Sequence, residues 1–179
     1  MNLPNKLTVL RAILVPVFVF FLLNDAGSFN KWIALVIFIV ASLTDMLDGK
    51  IARKNGLVTN FGKFMDPLAD KLLVCSALIC FIELKKMPTW MVLIIIAREF
   101  IISGFRLVAA ERGIVIAASM WGKYKTAISM VMIGFVIADI QLPIFAIVTQ
   151  ILIWASLILT VVSLVDYVYK NIDIFKGSI

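Results

Sequence analysis

Residues 45–70 read DMLDGKIARKNGLVTNFGKFMDPLAD and separate two apolar runs of the chain. The runs predict one helix over 31–54 and another over 61–83, each of which extends into the polar stretch. Asn55-Gly56 is a turn signal between them, so the two helices are expected to meet as a hairpin.

The hairpin carries four aspartates in two pairs. Asp45 and Asp48 are three residues apart, and Asp66 and Asp70 are four apart, so each pair lies on one helical face. Four unneutralised carboxylates in a small volume repel each other, and hard divalent cations resolve that conflict. Magnesium prefers oxygen ligands, and two ions bridged by carboxylates suit phosphoryl displacement. Because the chain has no histidine, any metal site must be built mainly from oxygen ligands, so the sequence predicts Mg²⁺ on these carboxylates, with Mn²⁺ able to substitute.

Small residues and cations are interleaved with these acids. Gly49 and Ala52 share the face of the first pair, and Gly62 does the same on the facing helix, which leaves space for a bulky ligand. Arg53 and nearby lysines supply counter-charge suited to a diphosphate. Helix capping, or pairing with neighbouring cations, is the alternative for any single aspartate. Four acids with small residues between them favour the metal site.

The composition of the chain requires a membrane. Of 179 residues, 63% are apolar and 16% are charged, and the mean hydropathy is +1.07. A soluble domain of this length needs more polar surface, and a span needs roughly 20 apolar residues, which leaves room for about six. One domain over 1–179 is expected. The six predicted helices are 6–24, 31–54, 61–83, 89–111, 119–138 and 143–169.

The net charge of +6 favours anionic membrane lipids over nucleic acid as its partner. When the helices cross alternately, most of the 17 Lys and Arg fall on the side of the N-terminus, against Lys31, Lys85 and Lys86 on the other. The positive-inside rule then places both termini in the cytoplasm. The sequence therefore predicts an all-α, multi-pass integral membrane protein with six transmembrane helices and the aspartate hairpin at the cytoplasmic face.

The aspartates and small residues match a known pattern. They resemble the signature of the CDP-alcohol phosphotransferase family, D-x2-D-G-x2-A-R-x8-G-x3-D-x3-D, without departure from it. The matching residues are Asp45, Asp48, Gly49, Ala52, Arg53, Gly62, Asp66 and Asp70. The resemblance extends over the whole chain, because members of the family have six membrane helices, as predicted here. It also implies a homodimer.

The resemblance also implies roles. Asp45 and Asp66 would bridge both metals, Asp48 would complete the first site, and Asp70 would contact the second metal and act as base toward the acceptor hydroxyl. The residues expected to contact the CDP-lipid are Gly49, Ala52, Arg53, Thr59, Thr8 and Arg11.

Three further segments resemble the bacterial phosphatidylglycerophosphate synthases of that family: NLPNKLTVLR at 2–11, AREFIISGFR at 97–106 and GKYKT at 122–126. The enzymes of that branch act in the bacterial cell membrane, where they join CDP-diacylglycerol to sn-glycerol 3-phosphate and release CMP. A phosphomonoester needs cationic donors. The candidates are Arg106, Arg112, Lys123, Lys125 and Arg98. Topological anchoring is the alternative for the first four. For Arg98, which precedes Glu99, the alternative is a structural Arg–Glu pairing with a neighbouring helix.

Two other classes of function stay open. The same chemistry could use another alcohol, namely phosphatidylglycerol, inositol phosphate or serine. A divalent-cation transporter also places acids in membrane helices, but it usually has internal repeats and a site near the midplane. The single unrepeated hairpin at one interface favours chemistry on a head group.

Overall fold

The computed structural model describes residues 3–24, 28–54, 60–111, 113, 116 and 119–171. Within them, side chains are described except at 3–8, 28, 45–54, 60–68, 70 and 111. These residues form six α-helices and no strand: α1 Leu3–Leu23, α2 Ser28–Lys54, α3 Asn60–Glu83, α4 Thr89–Glu111, α5 Met120–Ala138 and α6 Pro143–Asn171. The all-α prediction is confirmed, and the helix ends agree with the predicted ones to within about three residues.

The chain divides into two compact units, of which the first comprises Met1–Lys86 and Gly134–Asp139. In this unit α1 packs against α2 and α3, and α2 contacts α3. The rings of Phe18 on α1 and Phe38 on α2 lie 6.1 Å apart. Ala34 and Ala41 are buried one turn to either side of Phe38, so small residues let the helices approach around the large ring.

Asp139 closes one end of the first unit. It follows the last residue of α5 with a φ of 41°, the left-handed conformation that commonly ends a helix. Its backbone carbonyl accepts a hydrogen bond from Lys31 Nζ at 3.1 Å, and its Oδ2 lies 2.7 Å from Lys86 Nζ. The start of α2, the end of α5 and the turn after α3 are therefore joined at this end by polar contacts.

The second unit comprises Met87–Ile133 and Ile140–Ile179. Within it α4 packs against α6, and the buried side chains of α4 include Val92, Ile95 and Ile102. The facing side of α6 carries hydroxyls instead. Ser156 and Thr160 are fully buried, and the Ser156 hydroxyl lies 2.8 Å from that of Ser129 on α5. Small hydroxyl side chains let helices approach closely and bond to one another where lipid supplies no partner.

The outer surface of the helices is apolar. Every helix exposes large apolar side chains, for example Phe20, Val36, Ile79, Leu93, Val131 and Ile151. Helix α6, with 29 residues, is the one helix of the described chain that is long and apolar enough to cross a bilayer by itself, and shorter apolar segments occupy Val9–Leu23 and Phe29–Thr44. Apolar side chains outside with hydroxyls and charges inside are typical of a membrane protein. The six spans and the side of the termini stay predictions.

Candidate active site

The two aspartate pairs lie on neighbouring helices of the first unit. Asp45 and Asp48 are near the end of α2, and Asp66 and Asp70 are near the start of α3. The two helices contact each other, and both pack against α1. The aspartate side chains fall outside the described ones, so their arrangement around a metal stays a prediction.

Helical register continues the buried faces of α2 and α3 toward these aspartates. The buried stripe of α2 contains Phe38 and Ala41, and steps of four and seven residues from Ala41 lead to the first pair. The buried stripe of α3 begins at Ala69 and Leu73, and steps of three residues back from them lead to the second pair. From this spacing alone we expect both pairs on the continuation of these faces, which stays a prediction.

Arg11 lies on the buried face of α1. Its side chain is only 2% exposed, and Val15 and Phe18 are buried on the same face. Short connections make α1, α2 and α3 antiparallel neighbours, so the start of α1 lies at the same end of the unit as the aspartate hairpin. A buried guanidinium is costly unless it meets an opposite charge or a ligand. Thr8 is three residues earlier in the same register, with its side chain outside the described ones.

The other four residues predicted to bind the CDP-lipid fall outside the described side chains. Gly49, Ala52 and Arg53 lie in α2 without described side chains, and Thr59 lies outside the described residues. Among the side chains that are described, no three metal-ligating groups lie close enough together to hold an ion. Carboxylate oxygens such as those of the hairpin suit a hard divalent cation, in a chain without histidine, and a metal held by them stays a prediction.

A buried charged cluster lies in the second unit, formed by Arg98 and Glu99 of α4, Lys125 of α5 and Ser163 of α6. Glu99 Oε1 lies 3.1 Å from a terminal nitrogen of Arg98 and also accepts a hydrogen bond from Lys125 Nζ. Arg98 Nε donates to Ser163 Oγ at 3.2 Å. Arg98 is 6% exposed and Lys125 is 2% exposed. Among the described side chains, two buried cations share one carboxylate, so these groups carry a net positive charge.

The first turn of α5 lies close to Arg98 of this cluster. Ser119 Oγ accepts a hydrogen bond from the Gly122 amide at 3.1 Å, which caps the first turn of α5. A Cβ added at Gly122 would lie 3.4 Å from a terminal nitrogen of Arg98. An alanine Cβ at 122 would therefore be in van der Waals contact with the guanidinium, and a longer side chain would have to displace it.

The other predicted acceptor residues are distributed around this cluster. Arg106 lies two turns after Arg98 on α4 and is exposed, with its guanidinium carbon 6.0 Å from the centre of the Tyr167 ring. Lys123 is exposed, two residues before Lys125. Arg112 lies outside the described residues. The structure thus joins Arg98 to Lys125 through Glu99, and it brings neither Lys123 nor Arg106 into the same ion pair.

Three side chains of this region were not predicted from the sequence. A structural Arg–Glu pairing with a neighbouring helix was the alternative for Arg98, and the structure has it, but the role of Glu99 as the link to Lys125 was not predicted. Ser163 and Tyr167 were not singled out. A usable signal was the helical spacing of polar groups on the apolar α6, which follows Ser156, Thr160, Ser163 and Tyr167 along one buried face.

Comparison with known proteins gives a family for this arrangement. The model of the CDP-alcohol phosphatidyltransferase family matches residues 1–162. A Bacillus subtilis (strain 168) protein named CDP-diacylglycerol–glycerol-3-phosphate 3-phosphatidyltransferase is 42% identical over 192 residues, which cover 99% of this chain and 98% of that protein. Proteins with the same name from Haemophilus influenzae and Rickettsia felis are 39% identical over 187 residues and 35% identical over 170 residues. They cover 99% and 93% of this chain, and 95% and 93% of their own lengths. This chain is therefore an enzyme that belongs to the CDP-alcohol phosphatidyltransferase family.

Proposed function

We propose that the enzyme transfers the phosphatidyl group of CDP-diacylglycerol to sn-glycerol 3-phosphate, giving phosphatidylglycerophosphate and CMP. The observation that supports an anionic acceptor is the buried cluster in which Arg98 and Lys125 share Glu99. A buried net positive charge is costly, and an anionic ligand would relieve it. The names of the full-length bacterial relatives support glycerol 3-phosphate as that anion.

The donor half of the reaction is assigned to the aspartate hairpin and its neighbours. Family members generally use divalent metal ions, and Asp45, Asp48, Asp66 and Asp70 would hold two Mg²⁺ ions here. When bound, such ions neutralise the donor diphosphate and so make CMP a competent leaving group. Gly49 and Ala52 leave space for the CDP group.

Cations on two helices would complete the donor site. Arg53 supplies positive charge to the diphosphate, and Arg11, buried on α1, does the same from the facing helix. Thr8 and Thr59 are proposed as weaker polar contacts to the same ligand. In this assignment the donor rests on residues of the first unit only.

The transfer itself is an in-line displacement. The acceptor hydroxyl oxygen forms a bond to the phosphorus of the phosphatidyl group, and the bond from that phosphorus to the CMP oxygen breaks. Asp70 takes the proton of the hydroxyl. Arg98, Arg106, Arg112, Lys123 and Lys125 are proposed to hold the acceptor phosphate during this step.

The membrane topology is part of the proposal. Six transmembrane helices, both termini in the cytoplasm and an active site at the cytoplasmic face of the bacterial cell membrane follow from the distribution of Lys and Arg. Lys31 and Lys86, two of the three cations assigned to the opposite side, both contact Asp139 and so lie at one end of the first unit, which supports the alternate crossing of its helices. We also propose one domain, since α5 supplies residues to both compact units, and a homodimer surrounded by anionic lipids.

A comparison of acceptor alcohols tests this function. Purified protein in detergent micelles with CDP-diacylglycerol and Mg²⁺ is given glycerol 3-phosphate, inositol phosphate, serine or phosphatidylglycerol separately, and CMP release is measured. We expect release with glycerol 3-phosphate. Release with a different acceptor only would replace the substrate, whereas no release with any of them, together with Mg²⁺ flux in proteoliposomes, would favour a transporter.

A further inference from the structure

Tyr167 is buried near the end of α6 with an unused hydrogen-bonding group. The side chain is 3% exposed, and no group of the described chain lies within hydrogen-bond distance of its hydroxyl. Buried tyrosine hydroxyls normally have a partner, because an unsatisfied polar group in the interior costs stability. The neighbouring Asp166 is not its partner: Asp166 Oδ1 lies 2.6 Å from Lys170 Nζ, and the buried Asp166 Oδ2 also has no hydrogen-bond partner in the described chain.

Two aromatic contacts fix the orientation of this side chain. The Phe105 ring meets the Tyr167 ring edge-on, with centroids 6.2 Å apart and an angle of 74°. The Arg106 guanidinium lies over the Tyr167 ring with its central carbon 6.0 Å from the centroid. The ring thus contacts two consecutive residues of α4, one of which places a cation over its face.

Tyr167 also continues the face of α6 that binds the charged cluster. Ser163, one turn earlier, accepts a hydrogen bond from Arg98. Tyr167 is four residues further along this face, at the level of Arg106. Two arginines that we assign to the acceptor therefore contact successive turns of the same helix face, and the hydroxyl without a partner belongs to the second of these turns.

The geometry points to Tyr167 as a substrate-binding residue whose hydroxyl donates a hydrogen bond to the phosphate of the acceptor, beside the Arg106 guanidinium. This inference rests on the proposed function, which supplies the phosphomonoester. A phosphate oxygen is a strong acceptor, and the phenolic O–H is a donor without another use in the described chain.

Tyr167→Phe tests the inference because it removes one oxygen and keeps the ring that contacts Phe105 and Arg106. A hydroxyl with a purely structural role and no partner can be removed without loss of thermal stability. A hydroxyl that binds the charged phosphate cannot be removed without loss of affinity. Tyr169→Phe is the matched control, since Tyr169 is on the same helix and 82% exposed.

Steady-state kinetics on the full chain in detergent micelles distinguish the outcomes. We expect Tyr167→Phe to raise the KM for glycerol 3-phosphate by about 10-fold at saturating CDP-diacylglycerol, with an unchanged KM for CDP-diacylglycerol and an unchanged melting temperature. Tyr169→Phe should match the wild type. Inorganic phosphate, used as a competitive inhibitor, should lose affinity for Tyr167→Phe by a similar factor.

Three results would overturn the inference alone, and a fourth would overturn it together with the proposed function. A wild-type KM in Tyr167→Phe, with active wild-type enzyme, removes the hydroxyl from the site but leaves the proposed function intact. A raised KM with unchanged inhibition by phosphate assigns the hydroxyl to another part of the acceptor. A KM that changes only when anionic lipid is added to the micelles assigns it to a lipid phosphate. If the wild type does not use glycerol 3-phosphate, the proposed function and the inference fail together.

Discussion

Glu99→Gln removes the one carboxylate that both buried cations of the second unit contact. Its Oε1 lies 3.1 Å from the Arg98 guanidinium and also binds Lys125. At 3.1 Å and an effective dielectric constant near 20, one such pair gains about 5 kcal/mol before desolvation is subtracted. Breaking a buried pair by removing one partner costs about 3–5 kcal/mol, because the other charge is left behind.

We therefore expect Glu99→Gln to lower the free energy of unfolding by about 3 kcal/mol or more. Lys125 carries most of this loss, since Arg98 keeps its hydrogen bond to Ser163. The assay is chemical unfolding in mixed micelles. Glu83→Gln is the matched control, because Glu83 is an exposed carboxylate at the end of α3, and it should change the same quantity by less than about 0.5 kcal/mol.

A double variant tests the physical reason. If the unpaired Lys125 ammonium causes the loss, adding Lys125→Met to Glu99→Gln should recover part of the stability, so that the two single losses do not add. The reasoning is refuted if Glu99→Gln and Glu83→Gln unfold alike, or if the double variant loses the sum of the two single effects.

Three further results are expected from the proposed site. Asp70→Asn should lower CMP release by ~10²–10⁴-fold while the protein still inserts into membranes, and retention of more than about a tenth of the activity would contradict its role as base. Removal of divalent ions with EDTA should abolish CMP release, and Mg²⁺ or Mn²⁺ should restore it, whereas full turnover without metal would exclude a metal-dependent mechanism. Arg106→Gln should raise the KM for glycerol 3-phosphate by about 10-fold or more and leave that for CDP-diacylglycerol nearly unchanged, and Arg53→Ala should do the reverse. Equal effects of these two variants on both substrates would contradict the separation of donor and acceptor residues.

The helices were predictable because each is an apolar run bounded by ordinary turn signals. Met87-Pro88 precedes α4, and Leu142-Pro143 marks the start of α6, where proline fits the first turn. Since an α-helix satisfies its own backbone hydrogen bonds, an apolar run between two turn signals is enough to predict it. The places of the aspartates at the ends of α2 and α3 follow directly.

Side-chain partners between helices were not predictable in the same way. Glu99 and Lys125 are 26 residues apart, and Lys31 and Asp139 are 108 apart, so helical periodicity within one segment carries no information about either contact. The sequence indicates that a charge inside an apolar helix needs a partner, but which partner depends on how helices rotate as they pack. The missing partner of the Tyr167 hydroxyl is likewise a property of the packed structure.

The two compact units divide the predicted residues by substrate. All residues assigned to the metals and the CDP-lipid, from Thr8 to Asp70, belong to the first unit, and all those assigned to the acceptor, from Arg98 to Lys125, belong to the second. A family that shares one donor can then change its acceptor through the helices of the second unit alone. Under the proposed assignment, that charge could change without a change in the proposed metal ligands, because Glu99 offsets part of the charge of Arg98 and Lys125. An acceptor without a phosphate would need that charge neutralised, so relatives that use neutral alcohols are expected to differ first at the positions of this cluster.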